Sequence, residues 1–93
     1  MPSQQSFEIS PRMARDLVDA DLDAAFALLY IAETYGISET NRPHALRAIE
    51  EARNVILDGE KRLSAVSDCD RDRLKAGLER IRGVIEGVGA TLG

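Results

Sequence analysis

The stretch AAFALLYIA, residues 24–32, is nine residues long, and its only polar side-chain group is the Tyr30 hydroxyl. It stands in a chain in which 30% of the residues are charged. A helix turns about 100° per residue, which sorts its side chains into faces. On that wheel Leu17, Ala24, Leu28, Ile31 and Tyr35 form one apolar seam. Val18, Leu22, Ala25, Leu29 and Ala32 form a second seam beside it, with Phe26 and Ala27 at the edges. Together they span an arc of about 260°, which leaves only a narrow sector near Asp16, Asp19, Asp23, Tyr30 and Thr34 for water.

Working outward, Ser10 followed by Pro11 is a helix start, an oxygen-bearing cap with proline at the first helical position. The first helix is expected over residues 11–35. Gly36 is read as a left-handed stop, with Ile37 folded back on the last turn. Asp21 falls inside the apolar arc, where an unpaired carboxylate is costly. Either it finds a partner, or the helix breaks at residues 19–21 with an aspartate as cap. A second helix is expected over 42–66, because Pro43 disfavours helical geometry at Arg42; Ser38 is a rival cap. Gly59 either ends that helix or lets a neighbouring backbone come close. Ser67, Asp68 and Asp70 open a third helix, residues 68–88, with negative charge where the helix dipole favours it.

The second and third helices carry narrower faces. Ala45, Ile49, Ala52, Val55, Ile56, Gly59 and Leu63 make one, and Leu74, Leu78, Ile81, Ile85 and Val88 make the other, each about 120° wide. No apolar/polar alternation persists and no repeat recurs. The expected fold is therefore all-α, a three-helix up-down-up antiparallel bundle completed by dimerisation. Residues 1–9 are read as a disordered lead, 10–89 as one domain and 90–93 as a frayed tail.

Composition narrows the function. A 93-residue chain buries a modest core. Its single cysteine, Cys69, rules out an internal disulfide and fits a reducing, cytoplasmic setting. No signal peptide is expected from the polar start, and the longest apolar run is far below the ~20 residues of a membrane span. A net charge of −4 opposes general nucleic-acid binding. The basic residues Arg71, Arg73, Lys75, Arg80 and Arg82 alternate with Asp72, Glu79 and Glu86, the pattern of a solvated helix face.

Chemistry-bearing constellations are absent. Asp19, Asp21 and Asp23 resemble the opening of a calcium loop, but its sixth and twelfth positions hold Ala24 and Tyr30 instead of glycine and glutamate. Cys69 lies at a helix start, between two carboxylates that oppose an activated thiol. His44, the only histidine, has no nucleophile near it in sequence. Glu33, Glu50 and Glu51 lack the histidines of a bundle metal site. No catalytic residue, cofactor or metal is expected. The expected function is a non-enzymatic interaction module that associates with itself, or with another protein, through the first helix. Leu17, Ala24, Leu28 and Ile31 are assigned to the bundle. Leu22, Phe26, Leu29 and Tyr30, rimmed by Glu33, Asp19 and Asp23, are assigned to the partner. The alternative is a binding protein for a small apolar ligand held between helices, with Tyr30 or Tyr35 at the mouth.

Overall fold

The computed structural model describes residues 9–92. The expected disordered lead thus falls, apart from Ile9, outside the described residues, as does Gly93. Three helices follow one another: α1 Pro11–Tyr35, α2 Arg42–Arg62 and α3 Asp68–Leu92. Short 3₁₀ turns, Glu39–Asn41 and Leu63–Ala65, join them, and the described residues contain no strand. Tyr35 stands beside His44 while Asp21 reaches Arg62, so α2 runs antiparallel to α1. Gly77 lies under Leu22 and Gly36 under Leu92, so α3 returns parallel to α1. The architecture is the up-down-up bundle.

The Ser10 hydroxyl accepts the Met13 N–H at 3.1 Å, and Pro11 occupies the first turn, where its missing donor costs nothing. From there α1 runs unbroken past residues 19–21. No break is needed because Asp21 has a partner: the Arg62 guanidinium donates to its carboxylate at 2.5 Å. At the far end of α2 the last turn tightens to 3₁₀, and Arg71 closes the corner. It donates to the carbonyls of Leu63 and Val66, at 3.1 and 2.7 Å, the former also accepting the Val66 N–H.

The core is built mostly from small residues on α1 and α2 and large ones on α3. Ala14, Val18, Ala25, Leu29 and Ala32 of α1 meet Ala45, Ala48, Ile49, Ala52, Ile56 and Gly59 of α2. Leu74, Leu78, Ile81 and Ile85 of α3 close over them. Alanine and glycine let two helix backbones approach, and α1 and α2 are accordingly the most extensively packed pair. Half-exposed ion pairs run along the edges: Arg53–Glu86 at 3.3 Å, Arg82–Glu60 at 2.5 Å and Arg73–Asp19 at 3.5 Å. Each contributes at most about 1 kcal/mol.

Four local expectations are corrected. The two seams of α1 exchange roles. Val18, Ala25, Leu29 and Ala32 are buried, whereas Ala24 and Ile31, expected in the bundle, are exposed, as is Tyr35 on the same seam, and Leu17 and Leu28 are half-exposed. The inward seam sets Ala14, Ala25 and Ala32 against the alanines of α2, where the backbones come close. Gly36 is not left-handed: its φ is −66°, and Ile37 is 88% exposed rather than folded back. Glycine is required there because a Cβ would collide with the Ala32 carbonyl oxygen, at 2.8 Å, as well as with the Leu92 side chain. The second helix ends at Arg62, short of residue 66, with Gly59 inside it. The third continues past residue 88 to Leu92, which is buried. An apolar anchor on Gly36 holds this end where a frayed tail was expected. Gly36→Ala should therefore cost about 1 kcal/mol of stability. It should also speed amide exchange selectively over the last turn of α3, which hydrogen exchange would read.

Candidate functional site

Of the five residues assigned to a partner, the structure presents three outward. Phe26 is 57% and Tyr30 72% exposed, and Glu33 is exposed beside them. The other two are occupied. Leu29 is 3% exposed and lies in the core, and Leu22 is half-buried with its methyl groups over Gly77. Leu29 therefore offers no docking surface, which corrects the expected interface there, and the partly exposed Leu22 is turned toward α3.

The surface that does emerge is the other seam of α1. Met13, Ala20, Ala24, Ala27, Ile31 and Tyr35 are all exposed, with Leu17 and Leu28 half-exposed among them. Their spacing of three and four residues keeps them on one side of α1, away from α3. Alongside lies a groove of about 340 Å³ between α1 and α2, lined by Leu28, Ile31, Tyr35, His44, Arg47 and Glu51 among others. The rings of Tyr35 and His44 stand 6.4 Å apart at 54° and wall one end. Two further grooves, each about 300 Å³, open between α2 and α3 at Arg53, Leu57 and Arg82, and between α1 and α3 at Ile37 and Val88.

The charged residues sort into two groups. About half of those described form ion pairs within the bundle: Asp21 with Arg62, Asp19 and Asp70 with Arg73, Glu60 with Arg82, Glu86 with Arg53, and Asp68 with Arg71. The aspartates of the calcium-like stretch are thus divided between α2 and α3. Arg15 pairs with Asp16, whose hydrogen bond raises the guanidinium pKa above its ordinary value. Arg47 and Asp58 belong to the other half, which form no ion pair among the described residues; both are exposed on α2, as are the equally unpaired Arg42, Glu50, Glu51 and Lys61 of that helix. Sequence reading passed over Arg47 and Asp58 because each looks like an ordinary surface charge. The signal was their spacing of eleven residues, three full turns, which places both on one side of α2.

Cys69 is exposed, with the Ser67 hydroxyl 3.3 Å from its sulfur. Among the described residues no three His, Cys, Asp or Glu side chains are grouped so as to hold a metal ion. None of the described helices is long and apolar enough to cross a membrane. No protein family, curated protein or solved structure matches the chain.

Proposed function

We propose that the protein is a non-catalytic interaction module of the cytoplasm that works as a homodimer joined through the outward face of α1. The observation that carries this is the apolar line from Met13 to Tyr35, in which Met13, Ala20, Ala24, Ala27, Ile31 and Tyr35 are exposed and Leu17 and Leu28 partly so, Leu28 also packing against the core. That line is about 33 Å long at 1.5 Å per residue. Shared with α2 at a helix spacing of about 10 Å, it offers on the order of 600 Å² per copy, close to the ~800 Å² per partner of a stable interface. A soluble monomer rarely leaves such a surface bare, and a second copy is the simplest cover. The exposed thiol of Cys69 fits a reducing compartment.

The ligand-binding reading has less behind it. The three grooves are open to solvent, and the space between the helices is filled by alanine, isoleucine and leucine side chains.

Sedimentation over a concentration series tests the proposal. The expected result is a reversible dimer, with Ile31→Asp weakening it about tenfold or more, since a carboxylate there must be desolvated. Ile31 is exposed in the monomer, so this variant should keep its helicity. A chain that stays monomeric at the highest soluble concentration overturns the reading.

A further inference from the structure

We propose that the two copies dock antiparallel about a two-fold axis at Leu28, and that Arg47 of each copy pairs with Asp58 of the other. This rests on the self-association proposed above and adds its orientation and register. Two independent observations place the axis. The first is the size pattern of the exposed line on α1. Over residues 20–35 its N-terminal half is small, Ala20, Ala24 and Ala27, and its C-terminal half is large, Leu28, Ile31 and Tyr35. Met13 and Leu17, also large, lie further toward the N-terminus and fall beyond the partner's Tyr35 in the register below. A parallel pair would set large on large and small on small, leaving voids beside the alanines. An antiparallel pair centred between Ala27 and Leu28 sets Ile31 of each copy against Ala24 of the other and Tyr35 against Ala20. Large side chains then enter the space above small ones, the arrangement close packing favours.

The second observation is a pair of opposite charges, Arg47 and Asp58, among those of α2 that form no ion pair among the described residues; Arg42, Glu50, Glu51 and Lys61 are the others. Arg47 lines the same groove as Leu28, Ile31 and Tyr35, and Asp58 lies three turns further along the same side. A two-fold axis exchanges them only if it passes level with their midpoint, residues 52–53. The contacts of Tyr35 with His44 and of Asp21 with Arg62 fix the register of α1 against α2. They put Leu28 level with residue 53, so the size pattern and the charge pattern call for the same axis. An isologous interface then forms the Arg47–Asp58 pair twice, and Glu51 of each copy faces Asn54 of the other. Neither Arg47 nor Asp58 is used inside its own chain, among the described residues.

Mixing experiments separate the orientation from the self-association. Arg47→Asp and Asp58→Arg should each weaken the homodimer about tenfold, because each sets like charges together. Mixed one to one, they should recover a dimer about as tight as the wild type, since every facing pair is again opposite in sign. In a Cys69→Ser background, Ala24→Cys and Ile31→Cys proteins should form a disulfide with each other and little with themselves. Circular dichroism checks that each variant is folded. A wild-type dimer whose Ala24→Cys protein cross-links chiefly to itself, or whose charge variants gain nothing on mixing, overturns the antiparallel register and leaves self-association standing. A wild-type monomer overturns both.

Discussion

Leu78→Ala is expected to lower the unfolding free energy by about 3 kcal/mol, the middle of the range for a buried leucine truncated to alanine. Leu78 has no exposed surface and rests against Gly59, at the level where α1 delivers Asp21 to Arg62. A Cβ at position 59 would come within 3.0 Å of a Leu78 methyl and 3.4 Å of an Asp21 oxygen. Glycine there costs α2 about 1 kcal/mol of helix propensity relative to alanine. In the wild type, Gly59→Ala gains that propensity and loses it again by displacing Leu78, so the net change should be small. In the Leu78→Ala background the displaced methyl is gone, and Gly59→Ala should recover about 1 kcal/mol. Urea unfolding at one fixed protein concentration reads all four proteins, since the concentration itself shifts the stability of a self-associating chain. Strictly additive changes would show that Leu78 does not press on Gly59.

The same pair of residues shows how far the sequence could be read. The face of helix 3 was legible through Ile85, since its buried residues there recur at spacings of three and four and no second apolar face competes with them; its buried end at Leu92 was not. Gly59 was legible only as a choice, because a glycine in an apolar face marks either an end or a close approach, and the choice depends on what packs there. Asp21 was legible in the same way, since a carboxylate in an apolar arc demands a partner without naming it. Arg62 lies forty-one residues away and meets it only once α2 has turned back.

The outward face of α1 was misread for a physical reason. Two adjacent seams of equal length have the same periodicity, so spacing cannot tell which one turns inward. In the C-terminal half of α1 they differ in side-chain volume, Ala25 and Ala32 turning toward the alanines of α2 while Ile31 and Tyr35 face out; in the N-terminal half, where Ala20 and Ala24 also face out, volume does not distinguish them. That comparison was available in the sequence but needs the two helices considered as a pair. An excess of apolar surface on α1 could be read from one helix alone; the residues forming that excess could not.

Arg62→Met is expected to cost about 2 kcal/mol, and Asp21→Leu distinctly less. The difference follows from where the two charges sit. The Asp21 side chain is 18% exposed and is held over the helix interface, whereas that of Arg62 is 35% exposed at the end of a long, flexible stem. Removing the guanidinium strands a carboxylate that cannot easily reach water. Removing the carboxylate frees a guanidinium that can swing outward, and it places an apolar side chain within the apolar arc. The double variant Asp21→Leu with Arg62→Met should therefore regain most of what Arg62→Met loses, and equal or exceed the wild type. A partly buried ion pair must overcome the desolvation of both groups, while two apolar side chains of similar reach do not. The pair would then specify the register of α1 on α2 more than it stabilises the bundle. The register can be followed separately, through the ring-current shift that Tyr35 imposes on His44 at the opposite end. Equal losses for the two single variants, adding without recovery in the double, would mean that the Asp21 carboxylate is hydrated in the folded protein, and that the continuity of α1 through residues 19–21 has another cause.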